Sequence, residues 1–224
     1  MSGTTTAFCT SAKAELMQGA HCLAAQVTPT GDTHSNQTID TLSSIAGIIV
    51  GMGIAGAGIP AGAVVSQMLG AASVQSSLAA TSTVAADALT ISGDGIAMAL
   101  VKGSPTGTYG AATTNYADLT GNSDEVASGG GYTTGGFAWT AANLTGIATS
   151  GTTAYGQESV SPSWTSASFT TVGGVVYNQA ARFADVADRS LTVEDFGGSQ
   201  TVTAGTFTAT LPANSSTTAL LRAD

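Results

Sequence analysis

Ile96-Ala97-Met98-Ala99-Leu100-Val101 is an apolar run in which Ile96, Met98 and Leu100 alternate with Ala97, Ala99 and Val101. Successive side chains of a strand point to opposite faces, so a two-residue period marks a β-strand. The run ends in Gly103-Ser104-Pro105-Thr106-Gly107, a cluster of turn-forming residues. Further along, Val202 to Leu211 is a Thr-rich run broken by Gly205, which predicts a bulge there, and Val175–Tyr177, Leu191–Phe196 and Thr217–Leu221 read as additional strands. Gly121-Asn122-Ser123-Asp124 and Gly129-Gly130-Gly131 punctuate them. Many short strands with turns at this spacing predict a mainly β protein, an antiparallel β-sandwich. One short helix is expected at the start of the chain, between Thr6 and Gly19. There Phe8, Ala12 and Leu16 recur at helical spacing, Thr5 or Thr6 can cap and Gly19 can stop the helix.

Between Asp40 and Asp87 no residue is charged. This stretch holds Ile45–Val50, Ile59–Met68 and a Thr/Ser/Ala-rich segment reaching toward Ile91, and turn residues bracket it at Pro29-Thr30-Gly31-Asp32 and Ser92-Gly93-Asp94-Gly95. Residues 26–93 are therefore expected to form a small Gly-rich β module inserted into a main β-sandwich domain made of residues 1–25 and 94–224.

The 224 residues suffice for a core of their own and for no more than two compact units. Only 8% are charged, against roughly 25% in an average soluble domain, so much of the surface is expected to serve contact. With a net charge of −9 and five scattered cations, Lys13, Lys102, Arg182, Arg189 and Arg222, no basic stripe exists to neutralise phosphates, and nucleic acid is not an expected partner. Cys9 and Cys22 read as buried thiols, one pair being too few for a disulfide framework. The N-terminal Met-Ser-Gly-Thr-Thr-Thr lacks the pattern of a secretory signal, which points to synthesis in the cytoplasm.

No catalytic, cofactor-binding or metal-ligating residue is expected. Gly51-Met52-Gly53-Ile54-Ala55-Gly56 spells a dinucleotide-binding pattern, yet Gly58 and Pro60 break the helix that pattern requires, and no acidic ribose ligand precedes Asp87. Residues 45–72 are long enough to span a membrane, but Gly, Pro and Ala content and the lack of interfacial anchors favour a β module over a span. His21 and His34 have no Cys, His or carboxylate at ligand spacing beyond the His21-Cys22 doublet, and no Gly-x-Ser-x-Gly occurs. Asp185, Asp188, Glu194 and Asp195 could form an acid/base pair or a calcium site. With Arg182 and Arg189 among them they read instead as a salt-bridged loop. Trp139, Trp164, Tyr132, Tyr155 and Tyr177 could stack on sugars, although most read as core or interface.

Several stretches together resemble a family of small virion proteins of tailed bacteriophages, usually labelled hypothetical or tail-fibre. They are the N-terminal run Met1–Leu16, Gly95–Lys102, Tyr132–Gly136, Trp164–Phe169, Val176–Asn178 and, most specific, Asp195-Phe-Gly-Gly-Ser-Gln-Thr-Val-Thr-Ala-Gly-Thr-Phe207. The insertion, with Val50–Gly62 followed by Ser77–Thr81, is similar to a Gly-rich β module of phage structural proteins. The resemblance implies a non-enzymatic, fibre-like or decoration protein on the capsid, neck or tail, located in the virion and bound to other virion proteins. A homo-oligomer is implied as well, with a trimer favoured. The alternatives are a glycan-binding module of the tail and a membrane-active protein using residues 45–72.

Overall fold

The computed structural model describes residues 3–140, 144–180 and 187–223. Its contacts divide the chain into two compact units, one built almost wholly from Cys22–Asp94 and one from the segments before and after it. The architecture is mainly β and sandwich-like, with several antiparallel sheets and two short helices.

The chain opens with β1 (Ala7–Phe8) and α1 (Thr10–Met17). The expected helix start at Thr5 or Thr6 is overruled by the sheet, because Ala7 and Phe8 pair with Val193 and Thr192. The helix begins instead after Cys9, whose extended backbone forms the cap without a side-chain bond. Its inward face is Ala12 and Glu15, and Phe8 belongs to the sheet. Gly19 does end the helix, with φ +72°.

The Cys22–Asp94 unit contains β2 (Thr30–Thr33), β3 (Thr38–Asp40), β4 (Gly53–Ala55), β5 (Val65–Gly70), β6 (Ser73–Ser76), β7 (Val84–Ala88) and β8 (Thr90–Ser92). Five of them form an antiparallel sheet in the order β5-β6-β3-β2-β7, and β4 pairs with β8. Ile39, Met52, Val65, Val74, Leu89 and Ile91 meet in its core. The apolar run Ile45–Val50 is not a strand: it runs through turns, dropping Ile48 into the core while Ile49 and Val50 stay exposed.

This unit starts at Cys22, four residues before the expected boundary at 26, because its two ends are clamped together. The Cys22 N–H donates to Asp94 Oδ2 at 2.8 Å, and the Asp94 N–H donates to the Cys22 carbonyl at 2.9 Å. Gly93 makes the approach feasible, since a Cβ there would lie 2.4 Å from the Cys22 carbonyl oxygen.

In the other unit follow β9 (Ile96–Lys102), α2 (Tyr116–Gly121), β10 (Phe137–Trp139), β11 (Leu144–Ser150), β12 (Thr153–Glu158), β13 (Ser163–Asn178), β14 (Arg189–Thr208) and β15 (Leu221–Ala223). The main sheet has the order β1-β14-β13-β9-β10, and a smaller one has the order β11-β12-β15. Ile96 to Val101 are all buried. The strand expected at Thr217–Leu221 starts only at Leu221, because Ser215 Oγ bonds Thr217 and Thr218 in a turn.

β13 and β14 pair over almost their whole length. Near Asn178 and Arg189 they lie inside the main sheet, where β13 pairs with β9 from Thr171 onward; the rest is a two-stranded ribbon. Bulges fall at Ser166 and Ala204, both with φ near +50°. The expected bulge is thus one residue from Gly205, which stays paired with Ala167, while the Ala204 N–H donates to Ser168 Oγ. The two bulges keep the strands in phase. Trp164, Phe169 and Phe207 share one face and touch one another. The opposite face carries Ser163, Thr165, Ser168 and Thr170 on one strand and Thr201, Thr203, Thr206 and Thr208 on the other, hydroxyl-bonded at Ser163–Thr208 and Thr170–Thr201.

The clamp brings the ends of the Cys22–Asp94 unit together, so a chain in which residues 23–93 are replaced by a short Gly/Ser linker is expected to keep a folded β9-β13-β14 sheet. A cooperative thermal transition monitored by near-ultraviolet circular dichroism checks this, and its loss would show that the two units fold only together.

Candidate functional site

The residues singled out from the sequence go to separate places. Gly51–Gly56 forms a turn and strand β4, not the start of a helix, and Gly56 packs against the Asp87 carboxylate, a charge that repels a pyrophosphate. Within residues 45–72, Ile48, Met52, Ile54 and Val65 are core residues. Among the described residues no helix is long and apolar enough to cross a membrane, which says nothing of a β-barrel.

Both histidines find carboxylates that sequence spacing did not indicate. His21 Nε2 lies 2.9 Å from Glu15 Oε2, its Nδ1 lies 2.8 Å from Asn178 Nδ2, and Arg189 donates to Glu15 Oε1 at 2.9 Å. The helix α1 is thereby tied to the strands β13 and β14. His34 sits 2.9 Å from Asp40 on the surface of the Cys22–Asp94 unit. In each pair the partners are six residues apart, a separation with no meaning until a turn folds it back.

The carboxylates expected in a salt-bridged loop near the C-terminal end lie only partly within the described residues. Arg182 and Asp185 lie outside the described residues, Arg189, Glu194 and Asp195 are in strand β14, and Arg189 reaches Glu15. Asp195 accepts from Thr4 Oγ1 and the Gly197 N–H. Glu194 borders two cavities, of about 300 and 150 Å3, under the segment that leads into β15. Burial pushes its pKa up to about 7, against smaller lowering effects from Thr192 and Arg222. Among the described residues no three His, Cys, Asp or Glu side chains gather as a metal would require.

Two adjacent carboxylates, passed over in the sequence as part of a turn, organise the loops around β9. Asp124 is fully buried and accepts from the N–H groups of Thr106 and Gly107, from Tyr109 Oη at 2.7 Å and from Lys102 Nζ at 3.0 Å. Burial alone would raise its pKa, yet these donors hold it well below the ordinary carboxylate range. Glu125 accepts from Tyr116 Oη, Tyr132 Oη and the Gly135 N–H. Burial and the neighbouring Glu125 push the Tyr116 and Tyr132 phenols far up, so both act as hydrogen-bond donors. Tyr116 also stacks on Tyr177, with ring centroids 4.6 Å apart.

The aromatic residues suited to sugar stacking are mostly inside. Trp139, Trp164, Tyr132 and Tyr177 are buried, Tyr155 is half-buried, and Tyr132 and Trp164 pack together with Phe137, Phe169 and Phe207. Cys9 and Cys22 are buried and not joined in a disulfide, and burial raises the Cys9 pKa to about 12. Glu158 on β12 is 2% exposed, its Oε2 has no hydrogen-bond partner among the described residues, and burial pushes its pKa up to about 7. No family model, curated protein or solved structure matches this chain.

Two outcomes follow from these environments. Asp124→Ala leaves the Thr106 and Gly107 N–H groups and the Tyr109 hydroxyl without their acceptor, and is expected to cost about 3 kcal/mol or more in urea unfolding. A cost under about 1 kcal/mol would show that water replaces the carboxylate. For Glu158 the folded pKa lies above the unfolded value, so the folded state holds more protons between about pH 4.5 and 7 and stability falls as pH rises through that window. Glu158→Gln is therefore expected to stabilise by on the order of 1–3 kcal/mol at pH 8 and by much less at pH 4.5. An equal effect at both pH values would contradict a buried, protonated Glu158.

Proposed function

We propose that this protein is a non-enzymatic structural component of a bacteriophage virion, a fibre-like or decoration protein attached to the capsid, neck or tail and working there as a homo-oligomer. The observation that carries the reading is how the chain uses its few charged groups. Asp124, Glu125 and Glu15 are spent on internal hydrogen bonds that fasten loops and the N-terminal helix. The outward face of the β13/β14 ribbon is rich in Ser and Thr, and the Cys22–Asp94 unit exposes the uncharged strand β5. Such surfaces suit a protein that packs against copies of itself or against neighbours in a particle. The resemblance of Asp195–Phe207 and the other quoted stretches to small virion proteins of tailed phages points the same way.

The glycan-binding alternative loses its main motive with the burial of Trp139, Trp164, Tyr132 and Tyr177, and the membrane-active alternative with the use of residues 45–72 in a β core. Particles of the phage that encodes the chain, purified through a density gradient, are expected to contain it at a fixed multiple of a symmetric copy number. Mass spectrometry and reconstruction without imposed symmetry measure this and place it on capsid, neck or tail. Particles devoid of the chain would remove the proposal.

A further inference from the structure

Charge is segregated across the five-stranded sheet of the Cys22–Asp94 unit. Asp32, Asp40 and Asp87 lie on β2, β3 and β7, whereas β5 and β6, at the other end of the strand order, carry none. No Lys or Arg occurs between Lys13 and Lys102, so the carboxylates on these strands meet no permanent cation of the unit; Asp40 lies 2.9 Å from His34. The uncharged end is also the apolar one. Leu69 on β5 is 45% exposed and Leu78, just after β6, is 41% exposed. Ile49 and Val50, 49% and 56% exposed, adjoin β5 through the Gly51 N–H, which donates to the Val65 carbonyl.

We infer that the β5–β6 end of this unit, where Val50 and Leu78 are exposed near one end of the strand pair and Leu69 near the other, is a self-association surface whose partner is a second copy of this chain. The inference deepens the homo-oligomer part of the proposed function and rests on it. Like charge decides the partner. Each copy carries −9 overall, and two copies meeting at their β5–β6 ends keep the half-buried Asp32 and Asp40 carboxylates apart, whereas an approach from the β2 side brings them together. A membrane is a poorer fit, because the unit itself contains no Lys or Arg to hold lipid phosphates.

The contact is made by side chains. Register shifts at Val65/Gln67 and Met68/Gly70 leave Ser66 and Leu69 as bulges on β5, so that edge is too irregular for a clean ladder with another strand. By contrast the hydroxyl face of the β13/β14 ribbon is solvated at little cost and does not require cover. Four half-exposed aliphatic side chains make less than a standard interface of roughly 800 Å2 per partner, so association is expected to be concentration-dependent, in about the micromolar range.

Sedimentation velocity of the full chain from about 1 to 100 μM tests this, with circular dichroism confirming that each variant is folded. Wild type is expected to associate; the double variant Val50→Lys/Leu69→Lys is expected to weaken association at least about tenfold, and the milder Val50→Ser/Leu69→Ser to weaken it less. Thr203→Lys/Thr206→Lys on the ribbon serves as the control and is expected to leave it unchanged. An oligomer that survives the Lys and Ser variants but not the ribbon variant overturns the inference alone. A wild-type chain that stays monomeric throughout overturns it together with the homo-oligomer reading. Flotation of the wild type, but not of Val50→Lys/Leu69→Lys, with phosphatidylcholine vesicles would assign the patch to lipid and overturn it too.

Discussion

The antiparallel pairing of β13 with β14 is the contact on which one of the two units depends. It places Val172–Asn178 and Leu191–Val193 in the sheet interior, where β9 joins on one side and β1 on the other. The same pairing continues past the sheet as the ribbon. There the bulges at Ser166 and Ala204 each add one residue to one strand, so that the phase lost on the first is restored by the second. Without that compensation Trp164 and Phe207 could not stay on the same face as Phe169, and the cluster they form with Tyr132 and Phe137 would be split between core and solvent.

A chain with so few charges turns several of them inward. Asp124 and Glu125 are neighbours whose side chains diverge, so one carboxylate fastens the loop from Thr106 to Tyr109 and the next fastens Tyr116, Tyr132 and Gly135. A buried carboxylate is tolerable only where donors replace its water, and Asp124 has a full set of them, while Glu158 has no partner for one oxygen among the described residues and burial pushes its pKa up to about 7. Glu15 works likewise for the N-terminal helix, linking it through His21 and Arg189 to the strands β13 and β14.

With those charges used internally, the surface is left to hydroxyl, small and aliphatic groups. The ribbon and the Cys22–Asp94 unit differ in what this means. Hydroxyls on the ribbon can bond water as readily as a partner, whereas exposed Ile49, Val50, Leu69 and Leu78 gain only by leaving it. The segregation of aspartates to β2, β3 and β7 leaves the aliphatic end of that sheet without carboxylates on its own strands.

Local patterns in the sequence determined the mainly β class, the strands at 96–101, 175–177 and 191–196, the stop at Gly19 and the uncharged stretch between Asp40 and Asp87. Alternation, turn residues and composition are properties of neighbouring residues and survive without the fold. Tertiary structure alone decided where these patterns yield. Pairing with Val193 and Thr192 drew Ala7 and Phe8 out of the expected helix, and the Cys22–Asp94 clamp moved the boundary of the unit. Ser168 shifted the bulge from Gly205 to Ala204. The polar clusters were hidden for the same reason: Asp124 and Tyr109, or Glu15 and Arg189, are far apart in sequence and acquire partners only when strands and loops from distant segments are packed together, since a hydrogen bond depends on separation in space and not along the chain.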